Sequence, residues 1–373
     1  MNHTDFAPAG TRVPPGLDGI VVADTHIGDV RGEEGYFHYR GHDAAALATH
    51  ADVEDVWHLF HEGHLPDAIE AAEFTARTTK LRAADLDDAI TLAATGGDLL
   101  GGLRTVLAHH GAHLQPWVDR PTEDLRDEAL ELIAPMTSVV AGLWRRSQGL
   151  DPVPSTGADL AADYLQMLLG EKPDPAAVGA VRKYLCLTID HGFNASTFVA
   201  RCTASSGASL TGVLTAGLSS LSGPLHGGAP SLVLDMLDEI AASGDAERWV
   251  HEHLAAGRRV MGFGHRIYRT DDPRAALLRS TATAHGGDRI EAALEVERLV
   301  LETLAARHPE RELRTNVEFY AAVALEQAGV PRELFTPTFA VSRAIGWMAH
   351  ALEQIEGNRI VRPSSSYVGS IQD

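Results

Sequence analysis

Cys202–Leu234, CTASSGASLTGVLTAGLSSLSGPLHGGAPSLVL, carries no Asp, Glu, Lys or Arg. That length would suffice to span a bilayer. The composition argues otherwise: Ser, Thr and Gly recur, Pro224 interrupts the run and His226 lies inside it. We read it as two helices buried on all sides in a protein core, with small residues that let neighbouring helices approach closely. The flanking text agrees. From Asp43 onward, DAAALATH, VEDVWHLFHEG and PDAIEAAEFTARTTKLRAADLDDAITLAAT place apolar residues at three- and four-residue steps between Pro and Gly stops. Val139–Ser147 and Gly157–Leu169 continue the pattern around a Pro-rich turn, DPVPSTG, and Thr281–Arg311 reads as charged and helical. Phe335–Glu356 reads as a final long helix, and Ile360–Asp373 as a tail. The one strand-like region is Ile20–Arg40, where IVVADTHIGDV, the turn RGEEG and YFHYR predict a small hairpin. The fold class is all-α with a minor N-terminal β-hairpin, and residues 1–16 read as loose.

The totals describe an ordinary globular protein of 373 residues, with 45% hydrophobic and 22% charged residues. A net charge of −20 excludes the basic footprint of a nucleic-acid binder. It permits an anionic small molecule where arginines cluster locally. Cys186 and Cys202 form no CxxC or zinc spacing, and no basic-then-apolar signal opens the chain, so we expect reduced thiols and a cytoplasmic location. Of the 19 histidines, His61 and His64 are spaced for one helix face, but Gly63 and Pro66 favour a helix end there over a metal site. We assign no metal and no cofactor.

Four stretches carry chemistry. MGFGHRIYRTDDPR, Met261–Arg274, sets His265 after two glycines that permit positive φ or close backbone approach, with Arg269 and Arg274 behind it. SGPLHGGAP presents His226 just before a helix N-terminus, whose positive end disfavours the imidazolium. A neutral His226 could then donate to a developing oxyanion. In RTNVEFY, Glu318 stands among Val317, Phe319 and Tyr320, surroundings that raise a carboxylate's pKa and make it a better base. Taken alone, it fits a solvated helix carboxylate at least as well. Arg343 in VSRAIGW lies in an apolar helix and needs an anionic partner, either a ligand or a structural carboxylate. DHGFNASTFVAR adds His191 and Asn194, which alone fit a polar helix start. Together these groups suit proton removal beside a carbonyl, an enolate held by a neutral donor, and arginines gripping carboxylates.

With those residues in hand, the chain resembles the citrate synthase family, particularly the short bacterial type that includes 2-methylcitrate synthases. The likeness runs from GLDGIVVADTHIGDVRGEEGYFHYRG through VWHLFHEGHLP, DHGFNASTF, GPLHGGAP and MGFGHRIYRTDDPR to NVEFY, FAVSRAIGWMAH and RPSSSYVG. The resemblance implies a two-domain helical homodimer with its active site in the cleft between the domains: a large domain in residues 1–227 and 329–373, and a small one in 228–328. It implies that His226 and His265 donate to acetyl-CoA and oxaloacetate oxygens and that Glu318 is the base. His191, Arg274 and Arg343 would contact oxaloacetate, and Arg362 would do so from the partner subunit. Arg259, Val260, Met261, Gly262, Phe263 and Gly264 would border coenzyme A. Citryl-CoA would form and be hydrolysed to citrate and coenzyme A. The sequence departs from the family at the base, usually Asp and here Glu318, and at Pro230, where Asn is frequent. Two other activities stay open on these residues: propionyl-CoA as the preferred thioester, giving 2-methylcitrate, and a weakly active homologue that senses coenzyme A or a carboxylate.

Overall fold

Phe335–Glu356 is the axis of the molecule in a computed structural model that describes residues 14–370 apart from 225, 228, 266, 310, 311, 358 and 366. Most of the loose N-terminal stretch expected for residues 1–16, and Gly228 of the His226 loop, therefore lie outside the described residues. This helix is buried almost all round, from Phe335 to Ile355. Such a helix belongs either to the centre of a large core or to a membrane. No described helix is long and apolar enough to cross a membrane. The helices Ala195–Ser205 and Leu210–Leu221 pack against it. The small residues of the uncharged stretch permit that approach: a Cβ on Gly217 would stand 2.8 Å from Trp347 Cε3. Leu210–Leu221 is buried or half-buried except at Ser219. The second helix of the stretch, Ala229–Ser243, is different: Leu232 and Asp235 face outward, so it is not enclosed on all sides.

Seventeen α-helices are present among the described residues. Many start where an Asp, Asn or Ser side chain accepts an orphan N–H, as Asp43, Asp98, Asp159, Asp174, Asn194, Ser209 and Asn316 do. The charged region Thr281–Arg311 is split between two helices, Pro273–His285 and Asp288–Arg307, because Gly286 and Gly287 take positive φ at the junction. The strand region is also shorter than the sequence predicts. Strand β1 is Gly28–Arg31, β2 is Tyr36–Tyr39, and a two-residue β3, His42–Asp43, extends the hairpin into a three-stranded antiparallel sheet. Residues 20–27 run alongside without a ladder. The hairpin loop reaches the His265 segment: Arg269 N donates to Gly32 O at 3.0 Å, and a Cβ on Gly32 would meet Ile267 O at 2.2 Å.

Candidate active site

A cavity of about 720 Å³ brings together His191, His226, His265, Arg274, Glu318 and Arg343. They come from stretches as far apart as residues 191 and 343, and the glycine loop explains how two of them meet. Gly262 and Gly264 take φ of 84° and 83°. Gly262 O accepts from Asn316 N, Gly264 N donates to Arg314 O, and Asn316 Nδ2 donates to Gly264 O. The rung Phe263–Thr315 completes a short antiparallel clasp. Asn316 also caps the helix Val317–Gln327 through Glu318 N at 3.0 Å. The segment that ends in His265 is thereby tied to the turn that begins with Glu318. The close approach expected of Gly262 is toward that helix: a Cβ there would stand 2.7 Å from Phe319 Cβ.

Glu318 occupies the first turn of its helix, where the backbone favours a negative charge. Burial wins over that effect and pushes the carboxyl up to about 7, with Arg274 pulling it down and Asp272 pushing it up. A carboxylate poised there is a competent general base at neutral pH.

His265 has one defined tautomer. Its Nδ1 accepts from Ile267 N and Tyr268 N, both at 2.9 Å. A neutral ring must then carry its hydrogen on Nε2. Arg274 Nη2 lies 3.2 Å from that nitrogen. Both atoms are donors, so they are not bonded to each other, and they point together at a place suited to an oxygen acceptor. Burial first, then Arg274, lowers the His265 pKa to about 4. Arg274 is itself held by Asp272, Nε to Oδ1 at 3.0 Å and Nη2 to Oδ2 at 2.9 Å. Asp272 caps the helix that carries Arg274 and accepts from Val317 N at 3.1 Å, so one carboxylate aligns Arg274 with the start of the Glu318 helix.

His226 is fixed differently. Its Nε2 lies 2.7 Å from Ser196 Oγ, which also accepts from Trp347 Nε1 at 3.1 Å and stands 2.8 Å from Asn194 Oδ1. The single Ser196 hydrogen has two claimants. Given to His226 Nε2, it leaves the imidazole hydrogen on Nδ1; given to Asn194, it leaves that hydrogen on Nε2. The His226 pKa is lowered to about 4, chiefly by burial and then by Arg343. Its neutrality is as the sequence predicts, but burial, rather than the following helix end, is the main cause. His191 is held well below its ordinary value by burial, then by Arg274, His265 and Arg343, and its Nε2 lies 3.1 Å from the Tyr268 hydroxyl.

Arg343 stands at the cavity wall. It is buried, donates from Nε to Thr188 O at 2.9 Å and lies over the Phe339 ring. Among the described residues it forms no ion pair within 4.0 Å, and it lines the cavity. A buried guanidinium in that position calls for an anionic ligand. Arg362 lies on the exposed C-terminal segment, outside this cavity, and none of Arg259–Gly264 lines it, whereas His265 and Ile267 do. Ser196, Asp272 and Tyr268 escaped sequence reasoning as site residues. Only the Asp-Pro-Arg run hinted at Asp272; the partners of the other two are distant in sequence.

Comparison with known proteins follows the same lines. Residues 16–364 match the family model described as citrate synthase, C-terminal domain. The chain is 38% identical to the citrate synthase of Haloferax volcanii over 372 residues, 95% of each chain. It is 32% identical to 2-methylcitrate synthase 2 of Corynebacterium glutamicum, across 97% of this chain and 96% of that one. The citrate synthase structure from Pyrobaculum aerophilum superposes with a TM-score of 0.87 at 33% identity, covering 96% and 93% of the two chains. The Thermoplasma acidophilum enzyme, solved with carboxymethyl coenzyme A and oxaloacetate, gives 0.86 at 26% identity, covering 96% and 97%.

Proposed function

The chain belongs to the citrate synthase family and has that family's activity, an acyl-transferring condensation; we propose that its reactants are acetyl-CoA and oxaloacetate, with Glu318, His226 and His265 as the catalytic groups. One arrangement carries this reading: a carboxyl poised near neutrality shares a cavity with a pair of donors, His265 Nε2 and Arg274 Nη2, that converge on one acceptor position. Glu318 removes a proton from the thioester methyl group while His226, in the form in which Ser196 donates to its Nε2, donates from Nδ1 to the thioester oxygen. The resulting enol or enolate attacks the ketone carbon of oxaloacetate, whose oxygen sits between His265 and Arg274. Arg274, Arg343 and His191 hold the oxaloacetate carboxylates. The C–C bond gives citryl-CoA, and water cleaves its thioester to release citrate and coenzyme A. Arg259, Val260, Met261, Gly262, Phe263 and Gly264 border the coenzyme. The scheme draws on side chains and the thioester alone, with no cofactor.

The same reading makes the protein a cytoplasmic homodimer in which each subunit's Arg362 completes the other's site, serving the tricarboxylic acid cycle. Apolar residues left uncovered near both ends support a covering partner: Val21 is 85% exposed and Val368 94%. The large domain comprises residues 1–227 and 329–373 and the small one 228–328, with the cavity where the two meet.

Purified protein mixed with oxaloacetate and acetyl-CoA is expected to release free thiol only when both are present. Propionyl-CoA is the competing reading, supported by the apolar wall of Phe193, Phe198, Val199, Ala321 and Phe339 and by the Corynebacterium relative. One methylene in such a wall is worth only about 1–3 kcal/mol, so the ratio of the two rates decides between the substrates. Absence of thiol release with either thioester overturns both readings in favour of a binding-only protein.

A further inference from the structure

The sequence directs attention to His61 and His64, and the structure replaces the first of them. The helix Val53–Glu62 stops at Gly63, whose φ is 93°, and this turn carries His64 back beside His58. His61 instead lies against Phe74 near Arg77 and Arg126. Glu70, in the first turn of the helix Ala68–Arg82, completes a cluster: one ring nitrogen from each of His58 and His64 and one Glu70 oxygen all lie within 4.8 Å of one another.

We propose that His58, His64 and Glu70 form a binding site for a divalent ion of the zinc class, with a fourth position open to water. None of the three lines the catalytic cavity. Two imidazoles and a carboxylate suit zinc or cobalt; magnesium and calcium prefer all-oxygen sets. The ligands are oriented by other bonds, as metal ligands commonly are. His58 Nδ1 donates to His64 O at 3.0 Å, which turns the buried ring and leaves its lone pair on Nε2. Glu70 Oε2 accepts from Asp67 N at 2.8 Å, which leaves Oε1 for the cluster, 3.1 Å from His64 Nε2. Glu62 and Asp67 add negative charge around it. A tetrahedral ion with bonds of ~2.0–2.1 Å holds its donors roughly 3.4 Å apart. The widest separation in the cluster must therefore tighten by up to ~1.4 Å, and the exposed His64 side chain is free to supply that movement. The bound ion would replace the hydrogen between His64 and Glu70 and clip together the helices Val53–Glu62 and Ala68–Arg82.

The test is calorimetric titration of the metal-free full-length protein with Zn²⁺, repeated with Co²⁺ while its visible absorption is recorded. One equivalent should bind, with the intense cobalt bands of a four-coordinate ion. His64→Ala and Glu70→Gln should each weaken binding at least ~10-fold. Both positions are at the surface, and Gln keeps the hydrogen bond to Asp67 N, so folding is preserved; circular dichroism checks it. No saturable binding, or an affinity unchanged in either variant, overturns the proposal.

Discussion

Two of the three cavity histidines, His226 and His265, stay neutral in the same way and choose their tautomers in different ways. Burial lowers both to about 4. His265 is then fixed by backbone: two N–H groups from the residues just after it occupy Nδ1. His226 is fixed by a side chain, Ser196, whose one hydrogen is contested by Asn194. A backbone lock is written into the local turn and survives most substitutions nearby. A side-chain lock depends on a residue thirty positions away. The difference teaches that equal charge states do not imply equal robustness.

Three experiments press on this comparison. The largest effect is expected at the group both histidines serve. Glu318→Gln should cut kcat by ~10²–10⁴, the usual share of a general base, with oxaloacetate affinity retained in a binding titration. The pH profile belongs to the same test. The base works only when ionised, so kcat/KM should fall as pH drops through about 7. The histidines, at about 4, should add nothing between pH 5 and 8. A limb that stayed in place in the Gln variant would assign it to another group. Next, His265→Gln should cost ~10²–10³ in kcat, typical of a lost oxyanion donor, with circular dichroism unchanged. The smallest effect should come from Ser196→Ala. It frees the His226 ring without removing it, and misplacement by ~1 Å costs up to ~10². Its signature is a fall in kcat that Ser196→Thr, which restores a hydroxyl, partly recovers. If Ser196→Ala turned over at the wild-type rate, His226 would not need its side-chain lock.

The helical architecture was legible because it depends on local spacing. Asn194, Ser209 and Asn316 cap the helices that they precede, and Phe335–Glu356 has the limits its pattern predicts. Local spacing could not show that Ala229–Ser243 has an open face, since an uncharged run says nothing of what packs on each side. Nor could it show that residues 20–27 lack a ladder, because aromatic and β-branched residues also serve an extended segment. His265, Arg274 and Glu318 were legible as motifs. Ser196, Tyr268 and Asp272 were not, because each acts through a partner supplied by another part of the fold. Arg343 shows the limit most plainly. The sequence demanded an anion for it, and only the packing shows that no carboxylate of the described chain comes within ion-pairing range.

The clasp of Gly262–Gly264 on Arg314–Asn316 has a mechanical consequence. Glu318 and His265 are mounted on a single bracket, whereas His226 stands on a separate turn braced by the helix that carries Ser196. Relative travel of those two supports would leave the Glu318–His265 spacing unaltered and change only how far each stands from His226. On the roles proposed above, the adjustable dimension is therefore the gap between His226 and that pair, across which the thioester oxygen would be gripped, and the proton-abstracting half arrives preassembled.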